Sequence, residues 1–512
     1  MKKGLILSCL LAFTAFSVNA QDYFVNATSG NDNNSGTTPA AAWKSLKKVN
    51  SVKFTAGDNI MFATNDTFEG QLKPQGKGTQ KAPITFSSYG VGKKPHLAAN
   101  GNFLQTVYLY NTEYVTVKGF EITNKGAKRI PKTMGVYLHL NKFGSARGIK
   151  ILDNDIHDIY GSPVKAIGGG CGIFWHTEGT KPMSRFDGLI IENNTLKTVD
   201  RDGIRGWGDC YSGAKLKSEC DYCHRATRYP SINMVIRKNT LEDIGGDGIV
   251  IKNADGTIVE YNKIKGGRLR SPKYSAGIWP HASDNTLIQY NEVSGYVGTK
   301  DGQGFDSDWN CVGTIFQYNY SHNNEGGFML LCNNSKHVMP FNIGNKKTII
   351  RYNISINDST RTFHASGKVD DVEIYNNVII VNNKKKVHAL KTDYWEGGIP
   401  NNFVFRNNIF LTNGEFVWEE GKGTYKFANN NYFGKHHNLP NDANAIFSNP
   451  LFVDPSASSE PEGFENLTNF MIQADSPLVG KGCGKDLKLV KDFFGNNYKG
   501  DKINIGFDQG KK

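Results

Sequence analysis

The segments GLIIENNTL (residues 188–196) and GTIVEYNKI (residues 256–264) share one pattern: a short β-prone run, an asparagine, and then a second run with an apolar residue. Branched aliphatic residues favour strands, and asparagine favours the tight turns that end them. Each segment therefore predicts a strand, a turn near the asparagine and the beginning of another strand.

The pattern recurs at spacings of 23 to 45 residues. The aligned asparagines are Asn154, Asn194, Asn239, Asn262, Asn291, Asn319, Asn353, Asn377 and Asn408. A repeated strand-turn-strand unit with insertions of variable length is typical of a parallel β-solenoid, in which each coil adds one rung to a continuous core. Asparagine tolerates left-handed backbone and its amide bonds to neighbouring turns, so we interpret the column as a structural ladder.

Stretches at both ends support this interpretation. AGDNIMFATNDTFEGQL (residues 56–72), GTQKAPITFSSYG (residues 78–90) and the ending from SPLVGKG to GFDQ (residues 476–509) are similar to the opening and closing coils of known proteins. With the repeat, the chain resembles the pectate-lyase-like right-handed parallel β-helix superfamily of exported bacterial carbohydrate-active enzymes. The resemblance implies an all-β fold and either glycoside hydrolase or polysaccharide lyase activity.

The first twenty residues have two lysines, an apolar stretch and a small-residue end, which predicts a secretory signal peptide over residues 1–20. We expect an exported protein, periplasmic or secreted, whose mature part is one domain over residues 21–512. Within it, residues 21–95 would form the N-terminal cap and first coils, 96–430 the main coils, and 431–512 the closing coils. No later segment is apolar for long enough to span a membrane.

A second column aligns on a small residue followed by an apolar one, as in GIFWH (residues 172–176), GIWPH (residues 277–281) and GFDSD (residues 304–308). Side chains alternate across a strand, so the first and third positions after the glycine share one face and the second and fourth share the other. The first set predicts core. Its members are Val136, Leu138, Ile173, Trp175, Ile204, Ile249, Ile251, Ile278, Phe305, Phe328, Leu330 and Phe363.

The opposite set mixes charged groups, imidazoles and indoles, which suits the floor of a sugar-binding groove better than a protein interior. We predict that these residues orient hydroxyl, carboxylate or sulfate groups or stack on sugar rings. The predicted substrate-binding residues are Arg205, Trp207, Lys252, Trp279, His364 and His176.

Asp306 and Asp308 lie in this groove on one rung, with Cβ atoms roughly 6.5 to 7 Å apart. Glycoside hydrolysis uses two carboxyl groups, one as acid and one as base or nucleophile. Because like charges raise one of two neighbouring pKa values, one aspartate would hold a proton near neutrality. Glu325 is the reserve acid, so the predicted catalytic residues are Asp306, Asp308 and Glu325, with His281 beside them.

Two alternatives stay open. In a polysaccharide lyase, Lys252 or His281 would remove a proton beside a uronate carboxylate, Arg205 would neutralise that carboxylate, and Asp306 with Asp308 would hold Ca²⁺. No lyase motif can be mapped residue by residue onto the sequence, so the lyase hypothesis ranks second to the glycoside hydrolase. The third is a non-catalytic glycan-binding solenoid, which needs the aromatic column but not the paired acids.

Residues 21–512 carry a formal charge of +10, which favours an anionic glycan, uronic or sulfated, as the partner of a monomer. No nucleic-acid-binding module is visible, and no metal ligand is assigned at the groove. Cys210, Cys220 and Cys223 form a weak zinc motif or a disulfide. Cys311 and Cys332 either pair or stack in the core, and Asp202 and Asp247 are interpreted as turn residues.

Overall fold

The computed structural model describes residues 20–165, 169–208, 228–334, 342–454, 462–487, 491–498 and 502–510. The predicted signal segment up to residue 19 and the zinc or disulfide motif of Cys210, Cys220 and Cys223 lie outside these residues. In the described part of the chain, no helix has both the length and the apolarity that crossing a membrane requires.

The chain winds through three sheets of parallel strands, called here the first, second and third walls. Among the described residues the first wall has 14 strands. They are Asp22–Val25, Asn59–Ala63, Ile84–Tyr89, Val115–Lys118, Lys150–Leu152, Ile190–Glu192, Val235–Arg237, Ile258–Glu260, Leu287–Gln289, Ile315–Gln317, Asn345–Arg351, Val369–Tyr375, Asn401–Arg406 and Tyr425–Ala428.

The second and third walls share a long strand and form one network of 23 described strands. Those of the second wall are Thr67–Glu69, His96–Ala98, Glu121–Asn124, Asp155–Ile159, Thr195–Val199, Thr240–Ile244, Lys263–Gly267, Glu292–Tyr296, Tyr320–His322, Ile354–Ile356, Val378–Val381, Ile409–Glu419 and Asn431–His437. Those of the third wall are Gln105–Tyr110, Met134–Asn141, Cys171–Glu178, Asp202–Gly208, Ile249–Lys252, Ile278–His281, Gln303–Ser307, Gly327–Asn333, Arg361–Gly367 and Lys386–Asp393.

Smaller elements complete the coil. Four short strands form a side sheet: Ser145–Arg147, Arg185–Asp187, Ser231–Ile232 and Ala254–Asp255. Two strand pairs, Lys53–Phe54 with Gln75–Gly76 and Gly482–Cys483 with Lys502–Ile503, and two 3₁₀ helices, Pro39–Ala41 and Phe464–Phe470, lie near the ends. The α-helix Leu46–Ser51 begins after Ser45, whose hydroxyl accepts a hydrogen bond from Lys48 N, and it packs Leu46 and Val49 onto the core.

The core runs through the whole coil between the walls, and the predicted all-β parallel β-helix is confirmed. Eleven of the twelve residues that the glycine-led alignment assigned to the core lie in one buried apolar cluster. The exception is Leu330. Branched and aromatic side chains dominate this cluster because every coil must bury three inward faces against the same interior.

The predicted asparagine ladder is present in the described structure, and it continues beyond Asn408 to Asn430. Each ladder amide Nδ2 donates to the Oδ1 of the asparagine one coil ahead, for example Asn262 to Asn291 at 2.9 Å. That Oδ1 also accepts from the backbone N–H one coil behind, at 3.0 Å for this pair. The ladder thus pairs the polar groups of a buried turn, which otherwise would cost free energy.

The left-handed backbone lies one residue earlier than the sequence suggested. The positive φ angles belong to the residues before the ladder asparagines, for example Lys238 at 56°, Tyr261 at 55° and Tyr290 at 53°. The asparagine itself makes the side-chain bonds. Lysine and tyrosine accept the strained conformation because the ladder fixes the turn that follows.

We expect Asn291→Ala to lower the free energy of unfolding by about 2–4 kcal/mol, because several buried groups lose partners. Asn291 Nδ2 donates to Val259 O at 2.9 Å and to Asn319 Oδ1 at 3.0 Å, and its Oδ1 accepts from Asn262 N. Chemical denaturation followed by circular dichroism measures the change. The exposed Asn102→Ala is the control and should alter stability by less than about 0.5 kcal/mol; equal effects would contradict the ladder's role.

The C-terminal segment continues from the last strands of the second wall. After the strand Asn431–His437 and a bridge to Ile446, the chain returns along the outside of the second wall. Phe470, Leu478 and Phe507 there join a separate apolar cluster with side chains of the coil. This segment covers apolar residues that would otherwise face water.

Candidate active site

The third wall carries two columns of side chains that point away from the core, called here the outer columns. Strand pairing places Tyr137, Phe174, Arg205, Val250 and Trp279 in one column, and His139, His176 and Trp207 in the other. The pairing of Ile278 with Phe305 adds the next rung, so Asp306 follows Trp279, and Leu330 and His364 come after it. This register matches the alternation predicted from the sequence except at Leu330.

The outer columns are not the open trough that the sequence suggested. Asp306 is 3 % exposed, Trp279 5 % and Lys252 4 %. Lys165 lies over the Trp279 ring at 4.7 Å, and the Trp309 ring lies 6.1 Å from that of His281. Groups from the connections between coils therefore cover this part of the wall and restrict the opening to particular rungs.

The assignment of Leu330 to the core is wrong. Strand pairing places it between Asp306 and His364 in the outer column. The reason is a shift in the rung: Gly327, with φ of 128°, pairs with Gln303 and not with the glycine at 304. The glycine-led alignment was therefore one residue out of register for this strand.

A buried ionic network supports the outer columns from below. Arg201 is wholly buried and contacts Asp202 at 2.8 Å and Asp247 at 2.9 Å. Asp202 also accepts from Arg205 at 2.6 Å, and Lys165 Nζ lies 3.3 Å from Asp247. Burial acts to raise the pKa of Asp247, but the charges of Lys165 and Arg201 outweigh it and lower the pKa below its usual range.

This network corrects the interpretation of Asp202 and Asp247 as turn residues, since both side chains are fully buried. Asp247 holds the neighbouring rung in place: its Oδ1 accepts from the backbone N–H of Ala276 at 2.9 Å and from the indole N–H of Trp279 at 3.1 Å. The position and tilt of the Trp279 ring therefore depend on a charge beneath it.

The side chains of Asp306, Asp308 and Cys332 converge: one carboxylate oxygen of each aspartate and the cysteine sulfur all lie within 4.8 Å of one another. Burial and the charges of Asp308 and Asp301 raise the pKa of Asp306 well above its usual value. One buried oxygen of Asp306 has no hydrogen-bond partner in the described structure. Asp308 is half-buried, and its Oδ1 accepts from Trp309 N at 2.7 Å and from the Cys332 thiol at 3.1 Å.

Asp301, which the sequence reasoning missed, interacts electrostatically with Asp306 and Asp308 of this group. Burial raises its pKa to about 7; the charges of Asp308 and Asp247 add to the rise, and that of Lys165 opposes it. Arg361 donates to its backbone oxygen at 3.3 Å. The sequence indicated Asp301 only by its proximity in the chain to Asp306 and Asp308. The fold was needed to show that the connection before the strand Gln303–Ser307 passes near the groove.

Two tryptophans outside the predicted set line the same place. Trp309 and Trp395 are half-buried, their ring centroids are 5.1 Å apart, and they meet edge to face. Trp309 follows Asp308 directly, and its ring centroid lies 6.1 Å from that of His281. Half-exposed indoles beside carboxylates suit contacts with the apolar face of a sugar.

Trp207, Lys252 and Arg205 form a second group on the rungs before Asp306. The Lys252 ammonium lies 3.5 Å from the Trp207 ring centroid, and the Arg205 guanidinium lies 5.4 Å from it. Lys252 and Arg205 are nearly buried, and Asp202 pairs with Arg205. The structure thus brings the three predicted residues together, with the indole as the most exposed of them.

The remaining predicted residues lie farther along the wall. His364 Nε2 is 2.7 Å from Asp393 Oδ2; burial lowers the pKa of His364, and Asp393 opposes that change. His176 stacks on His139 several rungs away, with ring centroids 5.3 Å apart. Glu325 is exposed and lines a different recess of about 490 Å³ with Lys385 and other residues, so it does not join the aspartate group.

The aspartate group offers few side-chain ligands to a metal ion. Ca²⁺ takes roughly six to eight oxygen ligands, whereas this group offers two carboxylates and a thiol. Cys311 and Cys332 are free thiols, so the pairing considered from the sequence is not formed. The arrangement instead fits proton transfer: one carboxyl with a pKa near neutrality, a second held neutral, and a third that accepts hydrogen bonds.

Comparison of the sequence with known proteins gives two findings. A family model described as "Right handed beta helix region" matches residues 138–343. A lacto-N-biosidase of Bifidobacterium longum subsp. longum is 28 % identical over 591 residues, covering 93 % of this chain and 36 % of that protein. The chain thus spans about a third of the length of this curated relative.

Solved structures agree with the sequence comparison. The native crystal structure of GH136 lacto-N-biosidase from Eubacterium ramulus matches with a TM-score of 0.60 and 26 % identity, covering 79 % of this chain and 68 % of that one. The structure of XylC with xylose matches with a TM-score of 0.55 and 14 % identity, covering 96 % of this chain and 98 % of that one, and shows the fold alone. The chain is a right-handed parallel β-helix protein, as the sequence predicted.

Proposed function

We propose that the protein is a glycoside hydrolase that cleaves an oligosaccharide with retention of configuration. The observation that carries this proposal is a set of three carboxyls, Asp301, Asp306 and Asp308, which act electrostatically on one another and differ in environment. Asp301 has a pKa of about 7, Asp306 is buried with its pKa well above the usual value, and Asp308 is half-buried and accepts two hydrogen bonds. Carboxyl groups whose environments push their pKa values apart are what acid and nucleophile roles require.

In the first step the Asp308 carboxylate attacks the anomeric carbon while protonated Asp301 gives its proton to the glycosidic oxygen. The carbon–oxygen bond breaks and a glycosyl ester on Asp308 forms. In the second step the Asp301 carboxylate takes a proton from water, the water oxygen attacks the same carbon, and Asp308 is released. Asp301 and Asp308 act electrostatically on each other, and retention requires that their carboxyls lie roughly 5–5.5 Å apart.

Asp306 has a supporting role in this mechanism. A neutral carboxyl beside Asp308 can donate a hydrogen bond to the nucleophile without adding charge. Its burial keeps it from substrate, which is why we assign the acid role to Asp301 instead. Trp309 and Trp395 then provide the apolar surface against which the sugar packs.

The lyase alternative fits the geometry less well. Its candidate bases, Lys252 and His281, are nearly buried, and its candidate neutraliser Arg205 is already paired with Asp202. A purely binding solenoid would not need the buried carboxyls, whose desolvation costs free energy.

Similarity to lacto-N-biosidases supports lacto-N-biose as the disaccharide released, and this is our first candidate substrate. An anionic glycan is the second candidate. It is favoured by the formal charge of +10 over residues 21–512 and by a recess of about 1290 Å³ at the N-terminal end, whose lining includes Lys47, Lys53, Lys73 and Lys77. We further propose that the protein is exported through residues 1–20 and acts as a monomer.

The test is incubation of the purified protein with three substrates: the 4-nitrophenyl glycoside of lacto-N-biose, a neutral oligosaccharide ending in that disaccharide, and a uronate polysaccharide. The hydrolase gives a free disaccharide whose first-formed anomer, followed by proton NMR, keeps the substrate configuration. A lyase gives an ultraviolet-absorbing unsaturated product instead. Hydrolysis restricted to the uronate polysaccharide would favour the anionic glycan, the second candidate substrate.

The pH dependence of hydrolysis should follow Asp301. We expect kcat on the oligosaccharide to fall as pH rises above about 7, because burial and the charges of Asp308 and Asp247 raise the pKa of Asp301 to about 7 and the acid must be protonated. Asp301→Asn should lower kcat on this substrate by roughly 10²–10⁴-fold and abolish the alkaline limb. Steady-state rates from about pH 5 to about pH 9 measure both effects.

The exposed Asp155→Asn is the control for this series and should leave the profile unchanged. Substrates with 4-nitrophenol as leaving group need little protonation, so Asp301→Asn should slow the formation of the glycosyl ester much less with them. An Asp301→Asn variant that keeps the alkaline limb would assign the acid role elsewhere.

A further inference from the structure

His139, His176 and Glu178 form a group outside the proposed catalytic centre. Strand pairing places His139 opposite His176 and Asn141 opposite Glu178 on neighbouring rungs of the third wall. The two imidazole rings stack 5.3 Å apart with an interplanar angle of 7°, so their planes are nearly parallel. Glu178 lies two residues after His176 on the same face of the strand.

The donor atoms of these three residues converge. His139 Nε2 lies 2.8 Å from Glu178 Oε1, and one donor atom of each residue lies within 4.8 Å of the other two. A tetrahedral zinc ion with bonds of roughly 2.0–2.1 Å holds its ligand atoms about 3.3 Å apart. Small rotations of side chains would therefore bring all three into coordination.

The other ring nitrogen of each histidine has a hydroxyl partner. Tyr108 Oη is 2.9 Å from His139 Nδ1, and Tyr137 Oη is 3.1 Å from His176 Nδ1. A hydroxyl accepts from Nδ1–H as readily as it donates, so these tyrosines suit the tautomer that frees Nε2 for a metal. Outer partners of this kind orient metal-binding histidines and raise their basicity.

The anchoring of Glu178 is equally defined. Its Oε1 accepts from Asn141 Nδ2 at 2.7 Å, and its backbone oxygen accepts from Lys142 N at 3.1 Å and from the Ser184 hydroxyl at 3.0 Å. The side chain is 30 % exposed, so water or a ligand can reach the group. Beside it lies the recess at the N-terminal end, one of whose lining residues, Tyr110, is 5.2 Å from the His139 ring.

We propose that His139, His176 and Glu178 bind one zinc ion, with a water molecule or sugar hydroxyl as the fourth ligand. Two imidazoles and one carboxylate with an open position are a ligand set that Zn²⁺ prefers. The group is four strand pairings from the rung of Asp306, about 19 Å at ~4.8 Å per strand, so the metal takes no part in bond cleavage. It joins two rungs near the start of the third wall.

Without a metal ion, the contact between His139 and Glu178 is a hydrogen bond in which His139 Nε2–H donates to the Glu178 carboxylate. His157 offers a matched example of that simpler arrangement. It contacts Glu121 at 3.2 Å and Asp158 at 2.9 Å, but no second imidazole joins its donor group among the described residues. His157→Asn is therefore the control variant.

The experiment measures zinc per chain by mass spectrometry after loading with zinc chloride and desalting. We expect the double variant His139→Asn/His176→Asn to hold one zinc fewer than wild type, and His157→Asn to hold the same amount as wild type. Any zinc at Cys210, Cys220 and Cys223 contributes equally to all three proteins and cancels in the difference. Equal zinc content in wild type and the double variant would overturn the proposal.

A milder variant guards against misfolding. Glu178→Gln keeps the shape of the side chain and the hydrogen bond from Asn141, and removes only the charge. We expect it to weaken zinc binding at least 10-fold in calorimetric titration. Zinc should also raise the Tm of wild type more than that of Glu178→Gln. Identical zinc affinities and identical Tm shifts would show that the three residues do not bind zinc and that His139 and Glu178 are simply hydrogen-bonded beside His176.

Discussion

Asp308→Asn is expected to lower kcat/KM for the oligosaccharide by roughly 10⁴-fold or more, because an amide cannot form the glycosyl ester. The loss should appear in kcat with little change in KM, since the side chain keeps its shape and its contact with Trp309 N. Steady-state kinetics with the lacto-N-biose glycoside measure it. Retained activity would remove Asp308 from the mechanism and with it the proposed hydrolase site.

Two further variants make the assignment specific. Sodium azide should restore turnover to Asp308→Ala and give a glycosyl azide of inverted configuration, because azide replaces the missing carboxylate on the opposite face of the sugar. Asp306→Asn should cost less than about 10-fold, since an amide resembles the neutral acid that burial and neighbouring charge maintain there. A loss in Asp306→Asn as large as in Asp308→Asn, with azide rescue, would move the nucleophile to Asp306.

The fold followed from local patterns that repeat. The asparagine at the turn and the alternation along the strands are local sequence patterns that recur in every coil. A wrong assignment in one coil therefore does not change the fold predicted from the others. The register of the rung at Gly327 was the exception, because an extra residue at its start shifts Leu330 to the other face. Pairing between strands, which no single segment encodes, decides such a shift.

The site was predicted in part. Asp306, Asp308, Trp279 and His281 were placed together because they follow the alternation on adjacent rungs. Asp301 was missed because it lies in the connection before the strand, where alternation gives no direction to a side chain. Burial was misjudged for a similar reason: Lys165, whose ammonium covers Trp279, belongs to an irregular segment whose path depends on long-range contacts.

The ionic network beneath the site is another feature that the sequence concealed, and its loss should have the second large effect. Asp247→Ala is expected to lower the free energy of unfolding by about 3–5 kcal/mol, because it leaves the guanidinium of Arg201 wholly buried with one carboxylate fewer. Denaturant unfolding measures the loss. Asp155→Asn, which breaks an exposed pair with Lys94, should cost no more than about 1 kcal/mol.

The same carboxylate should make stability depend on pH in a stated direction. Although burial acts to raise the pKa of Asp247, the charges of Lys165 and Arg201 hold it below the value of an unfolded chain, so its contribution is present above the unfolded pKa near 4 and is lost as pH falls below it. Wild type should therefore lose more stability between neutral and acidic pH than Asp247→Ala does. Parallel pH curves for the two proteins would mean that the aspartate is not a buried anion.

A double variant separates two contributions to the free energy of unfolding: the penalty for leaving Arg201 buried without Asp247, and the net stabilisation by the ion pair. Replacing Arg201 by Met in the Asp247→Ala background removes the uncompensated charge, so part of the lost stability should return even though another polar group has gone. Asp247→Ala should also lower the rate of hydrolysis, because the Trp279 indole loses its acceptor and Lys165 its partner. The double variant should not regain this activity, since both contacts are still missing. If stability and activity recover together, the network serves the fold alone; if neither recovers, Arg201 stabilises the coil through contacts other than Asp247.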